Sequence, residues 1–308
     1  MRKKVSVIGA GNVGASAAQL VAQASLADVV LFDIADGIPQ GKALDIAEAC
    51  PIWNSSVSVK GTNSYADTKD SDIVVITAGF PRKPNMSRDD LLHANADVVK
   101  AVSGAIAKTS PNAIVIVVTN PMDVMAQLAW KTTEFSCKRV IGMGGILDAA
   151  RLRAFLSWEL NVSPEDIETI VLGGHGDQMV PLPRFTTVKG IAITEFLKKK
   201  TIDSLVHRTR NGGAEIVSLL KSGSAYYAPA AAVVQMIKSI LFDEKRLIPC
   251  AAYLNGEYGM KDIYLGVPVI LGREGVERVV EIKLTKEERA QLKESCSAVK
   301  KLIKKLSI

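Results

Sequence analysis

A chain of 308 residues, 48% hydrophobic and 23% charged, has enough apolar material for one or two compact domains, which excludes a disordered or fibrous design. The net charge of +6 comes from scattered lysines and from the Lys300-Lys301 and Lys304-Lys305 pairs near the C-terminus, a solvated helix face. Aromatics make up 5% and are not interleaved with these cations, so the composition argues against a nucleic-acid partner and for an anionic small substrate.

Lys4 to Ile8 reads as a buried strand, followed by Gly9-Ala10-Gly11-Asn12-Val13-Gly14 and an Ala-rich helical stretch to Ala24. Strand, glycine turn and helix in this order suit a dinucleotide. The glycines permit a tight turn, close approach of the backbone to a pyrophosphate and close helix–strand packing, and the helix N-terminus favours negative charge. A second strand, Val29 to Phe32, ends in Asp33, about 20 residues past the glycines, where a carboxylate binds ribose hydroxyls. The same charge repels the extra phosphate of NADP, so NAD is the expected cofactor.

The alternation continues with a helix from Pro39 to Cys50, strands at Val57 to Gly61 and Ile73 to Thr77, a helix from Leu91 to Thr109 and the strand Ala113 to Thr119. Continuously apolar strands separated by helices imply a doubly wound parallel sheet covered on both faces, with ligands bound beyond the strand carboxyl ends. Two of those ends are polar, Thr77 to Pro84 and Thr119-Asn120-Pro121-Met122-Asp123. The loop from Phe80 to Asp90 has the composition of a lid and carries Arg82 and Arg88, whose planar guanidinium groups match carboxylates and can polarise a carbonyl. Asn120 is placed to hydrogen-bond a ligand from a strand end.

After the glycine-rich turn Val140 to Gly145, a helix to Leu160 carries Asp148 and Arg151 on one face. Ser163-Pro164-Glu165-Asp166 starts another short helical piece. Ile167 to Leu172 reads as one buried strand ending at Gly173-Gly174-His175-Gly176-Asp177, where glycines leave the imidazole uncrowded; His175 is the candidate base. Beyond it, short β segments, helices at Ile202 to Leu220 and Ala228 to Phe242, strands at Ile248 to Leu254 and Gly266 to Leu271, and a capping box at Thr285 to Glu288 mark an α+β unit. The expected organisation is a Rossmann-type α/β domain over 1–144 followed by an α+β catalytic domain over 145–308. No apolar run spans a bilayer, and the four cysteines form no metal or disulfide pattern, so a cytoplasmic protein without metal is expected.

With these residues in place, the chain resembles the lactate and malate dehydrogenase family along nearly its whole length, and within it the malate dehydrogenases built like lactate dehydrogenases. The resemblance is carried by Gly9 to Gly14, Asp33, Pro81 to Pro84 with Ser87 to Leu91, Thr119 to Asp123, Leu147 to Arg151 and Gly173 to Asp177. It implies reversible hydride transfer between L-malate and NAD, a dicarboxylate substrate and a homodimer or homotetramer. It also implies roles: His175 as proton donor and acceptor, Asp148 as its partner, Arg151 on the substrate C1 carboxylate, Arg88 on the carbonyl and Arg82 on a second carboxylate. Asn95 and Asn120 match positions contacting cofactor and substrate, and Val118 a cofactor position. Asn85 departs from a glycine common in relatives and bears on loop closure. A lactate or other 2-hydroxyacid dehydrogenase, and a dinucleotide-binding regulator without catalysis, are the alternative readings.

Overall fold

The computed structural model describes residues 2–80 and 87–306, with Arg88 by its main chain alone. The expected alternation is present from the first residues: β1 (Lys4–Ile8), α1 (Asn12–Gln23), β2 (Asp28–Phe32), α2 (Ile38–Ala49), β3 (Val59–Thr62), β4 (Ile73–Ile76), α3 (Arg88–Thr109), β5 (Ile114–Val117), α4 (Met122–Thr133) and β6 (Val140–Gly142). These strands are parallel and ordered β3-β2-β1-β4-β5-β6. Every residue of β4 and β5 is buried, which their unbroken Ile/Val sequence requires once helices cover both faces. The strand order reverses between β1 and β4, and that switch point opens the crevice in which doubly wound sheets bind ligands.

The sheet does not stop at β6. After α5 (Gly145–Leu160), β7 (Ile167–Glu168), β8 (Val171–Gly173), β9 (Met179–Pro181), β10 (Thr187–Val188), β11 (Ile191–Ala192), α6 (Lys199–Leu220) and α7 (Tyr227–Leu241), the chain forms β12 (Arg246–Asn255), β13 (Lys261–Gly272), β14 (Gly275–Val279) and α8 (Lys286–Lys305). β12 pairs antiparallel with β6 through Ala251 and Gly142, so the parallel sheet runs on into an antiparallel one ordered β12-β13-β8-β9. The capping box expected at α8 is present, with Thr285 and Glu288 bonded reciprocally, and a second box that the sequence reading did not single out, Ser87 with Asp90, starts α3.

Two expectations need correcting. The apolar run Ile167 to Leu172 is not one strand: β7 joins β10 and β11 in a small separate sheet, while β8 joins β13 in the large one. The switch falls at Thr169 and Ile170, where the Thr169 hydroxyl is held by Thr186 at 2.7 Å and the Ile170 carbonyl accepts from Leu182. An apolar run reports burial, not which sheet buries it. The strand expected from Gly266 starts five residues earlier, at Lys261, because pairing with β12 carries the ladder past a bulge at Asp262 to Lys261, which pairs with Asn255. The Ser163 start is a single 3-10 turn, Pro164–Asp166, capped by the Ser163 hydroxyl.

Candidate active site

The glycine turn after β1 is shaped by contacts that no side chain would survive. Gly9 has φ +112°, and a Cβ on it would lie 2.6 Å from Ala78 N. A Cβ on Gly14 would lie 1.8 Å from the Gly9 carbonyl oxygen and 2.7 Å from Thr77 Oγ1. We therefore expect Gly14→Ala to cost about 1–3 kcal/mol of stability by overpacking and to weaken NADH binding; thermal unfolding and a fluorescence titration measure the two effects.

From Gly11, α1 begins with no side-chain cap and no acid in its first turn, unlike the boxed starts of α3 and α8. Its free N–H groups and its dipole are thus left for an anion, with Asn12 exposed and Val13 partly exposed at the opening. Asp33 reaches across: Oδ2 accepts the Ala10 N–H at 2.6 Å and Oδ1 the Ala35 N–H at 3.0 Å. Lys42 of α2 donates to the Ala10 carbonyl at 2.7 Å, gripping the same peptide pair from the other side.

Beside the turn lies a cavity of about 250 Å³, lined among others by Gly9, Asp33, Tyr65, Gly79 and Val98. Tyr65 stacks on Phe32 with ring centroids 4.1 Å apart, and burial together with the Asp33 charge pushes its phenol up. A mainly apolar slot with one carboxylate at its rim, next to an uncapped helix start, fits an adenosine diphosphate moiety. Lys42 and Tyr65 escape sequence reasoning because nothing in their local spacing says that α2 and the turn after β3 will close on the glycines.

A second cluster of candidate residues gathers around His175. His175 follows β8, and its side chain is 13% exposed. Its Nδ1 is 2.9 Å from Asp148 Oδ2, and Asp148 is 1% exposed on the first turn of α5. The other carboxylate oxygen of Asp148 accepts from Arg151 Nη1 at 3.4 Å. One buried acid therefore holds both the imidazole and the guanidinium. With Nδ1 donating to Asp148, Nε2 is the ring nitrogen left for proton exchange.

Burial opposes the imidazolium, but the charge and hydrogen bond of Asp148, helped by Asp123, outweigh burial and the Arg151 charge, and the His175 pKa is raised. Burial lowers that of Arg151 while Asp148 raises it; a guanidinium remains charged in any case. Gly212 and Gly213 of α6 let Arg151 lie along the helix: a Cβ on Gly212 would stand 3.2 Å from Arg151 Cδ.

The remaining candidates are placed as follows. Asn95, 1% exposed on α3, is committed to main chain: Oδ1 accepts from Phe80 N at 2.7 Å, and Nδ2 donates to the Asn120 carbonyl at 2.7 Å. It thereby joins the polar ends after β4 and β5. Asn120 is exposed at the end of β5 and precedes a cis Pro121, and Val118 is partly exposed, its N–H donating to Ile76. Arg88 occupies the first position of α3. Arg82 and Asn85 lie outside the described residues.

Asp123 was visible only as the last letter of a polar strand end. In the structure it is buried and accepts the His175 N–H at 2.9 Å, while Ser295 of α8 accepts the Gly174 N–H at 2.8 Å. Among the described residues no group of three or more His, Cys, Asp or Glu side chains is arranged to hold a metal, and no helix is long and apolar enough to cross a membrane.

Residues 3–142 match the family model of the lactate/malate dehydrogenase NAD binding domain, and residues 146–307 that of the lactate/malate dehydrogenase alpha/beta C-terminal domain. The chain is 54% identical over 299 residues to a malate dehydrogenase of Roseiflexus castenholzii, covering 97% of each chain. It superposes on a crystal structure of Cryptosporidium parvum malate dehydrogenase with a TM-score of 0.97 at 43% identity, covering 100% of this chain and 99% of that one. A lactate dehydrogenase of the same organism, solved with lactic acid and nicotinamide adenine dinucleotide, gives an equal TM-score of 0.97 at 43% identity, covering 100% and 98%. The N-terminal half is thus an NAD binding domain, and by both halves of its length the chain belongs to the lactate/malate dehydrogenase family.

Proposed function

We propose that the chain is an NAD-dependent malate dehydrogenase that interconverts L-malate and oxaloacetate. The observation that carries the reading is the Asp148 carboxylate shared between His175 and Arg151, which couples a proton-exchanging imidazole to a cation suited to the substrate's carboxylate. When bound, the nicotinamide supplies the hydride acceptor and donor. In malate oxidation neutral His175 takes the hydroxyl proton at Nε2, and Asp148 stabilises the imidazolium that forms. In the reverse direction the imidazolium returns that proton. Because the His175 pKa is raised, malate oxidation gains rate as pH rises through it, and oxaloacetate reduction loses rate over the same interval.

Arg151 binds the C1 carboxylate, Arg88 at the start of α3 polarises the carbonyl, and Arg82 takes the second carboxylate. Asn120 contacts substrate and cofactor, with Asn95 behind it. Gly9, Gly11, Asn12, Val13, Gly14, Asp33 and Val118 form the cofactor side. Residues 1–144 then act as the cofactor domain and 145–308 as the catalytic one, a division supported by the change from parallel to antiparallel pairing beyond β6. A cytoplasmic homodimer or homotetramer fits the reading, since self-association would cover apolar side chains such as Leu44, Trp158 and Leu219 that α2, α5 and α6 leave exposed.

Backbone similarity does not choose between malate and lactate, for it is equal to both. Choice of oxoacid is supported instead by the name malate dehydrogenase on relatives 53–55% identical and by an arginine at position 82. Steady-state rates with NADH and either oxaloacetate or pyruvate test it. We expect a strong preference for oxaloacetate that Arg82→Gln shifts towards pyruvate, because the dicarboxylate loses a charge partner. A mutant that keeps the full preference would remove Arg82 from this role.

A further inference from the structure

The reaction as derived makes no use of Asp123, yet this residue meets the catalytic histidine directly. It lies in the first turn of α4 and is 4% exposed; Oδ2 accepts the main-chain N–H of His175 at 2.9 Å, and Oδ1 has no hydrogen-bond partner among the described residues. A buried carboxylate with an orphaned oxygen is costly, and a neutral amide would accept the same N–H without the charge. Burial, with a smaller contribution from the Asp148 charge, pushes its pKa up to about 6 against the pull of the His175 contacts.

The charged groups facing His175 come from two helices: Asp148 and Arg151 from α5, and Asp123 from α4. Packed on the same loop, α8 supplies the uncharged Ser295. Asp148 divides its carboxylate between the imidazole and Arg151, whose positive charge disfavours the imidazolium. Asp123 is shared with no cation.

We infer that Asp123 is a positioning residue for His175: it pins the histidine by its main chain and supplies a second negative charge to the imidazolium, offsetting Arg151. It does so from a point three residues beyond Asn120, so the same short segment ends the cofactor-side strand and holds the acid–base group. Registration of the imidazole against the nicotinamide then depends on one rigid helix start, where a displacement on the order of 1 Å is costly to turnover.

The inference rests on His175 being the acid–base group of the proposed reaction, so its test includes a readout that needs no substrate. The chain has three histidines, His93, His175 and His207, so ¹³C-histidine labelling gives three resolvable titrations, assigned with His175→Asn. In Asp123→Asn we expect the His175 midpoint to fall by about one pH unit, since a negative charge that favours the imidazolium is removed. The rising limb of malate oxidation should move to lower pH with it.

Asp123→Ala should give the same shift and also lower kcat by about 10- to 100-fold with NADH affinity unchanged. Asp123→Asn should recover part of that loss, because its amide oxygen still accepts the His175 N–H. Should Asp123→Ala fail to fold, the Asp123→Asn titration decides alone. An unmoved His175 midpoint in folded Asp123→Asn overturns the inference. A shifted midpoint in a protein that oxidises neither malate nor lactate supports the placement of Asp123 while overturning the proposed reaction.

Discussion

Asp148→Asn is expected to lower turnover by about 10³- to 10⁴-fold in both directions while leaving NADH affinity unchanged. The carboxylate accepts from His175 Nδ1 with one oxygen and from Arg151 with the other, and an asparagine can satisfy only one of these two donors as an acceptor. If the amide oxygen stays with Arg151, the NH₂ group faces Nδ1 and selects the tautomer protonated at Nε2. That tautomer has no lone pair at the atom that must take the hydroxyl proton. The imidazolium also loses its closest counter-charge, so the His175 pKa falls. Steady-state kinetics with oxaloacetate and NADH, beside a fluorescence titration of NADH, check both halves. Unchanged turnover would remove Asp148 from the mechanism.

Arg151→Leu is expected to reduce kcat/KM by about 10²- to 10³-fold, which corresponds to about 3–4 kcal/mol, with the loss falling mainly on KM. The guanidinium is 13% exposed, its Nε is buried without a partner among the described residues, and it is held along Gly212 and Gly213. A cation kept dry and oriented in this way binds a carboxylate far better than a solvated one. Two consecutive glycines inside α6 cost about 1 kcal/mol each in helix propensity, and a narrow helix surface under the arginine is what they provide. Leucine fills the apolar part of that surface but leaves the substrate carboxylate and Asp148 without the charge. Because Arg151 disfavours the imidazolium, its removal also raises the His175 pKa further, and the rising limb of malate oxidation should move to higher pH. A KM close to wild type would show that the carboxylate is bound elsewhere.

Tyr65, Lys42, Asp123 and Ser295 share one property that kept any of them from being singled out as a site residue by the sequence. Each acts on a segment remote in the chain: Lys42 on Ala10, Asp123 on His175 across 52 positions, and Ser295 on Gly174 across 121. A buried acid is recognisable as functional only when the loop folded over it is known. Asn95 differs. Its position was singled out by resemblance, and the structure gives it a job no resemblance described, tying Phe80 to Asn120 through its own amide.

What the sequence determined by itself was everything carried by short-range regularity. Unbroken Ile/Val runs gave the buried parallel strands, residue spacing gave the capping box of α8, and glycines at close intervals gave the turn against which Asp33 closes. These signals are legible because backbone geometry repeats every two or 3.6 residues and because a Cβ at Gly9 or Gly14 has nowhere to go. Only the tertiary structure decided that Ile167 to Leu172 divides between two sheets, that β6 continues into β12, and that Asp123 sits against the main chain of His175. Those outcomes turn on which surfaces meet across long loops, and an apolar or acidic residue has the same local signature whichever partner finally buries it.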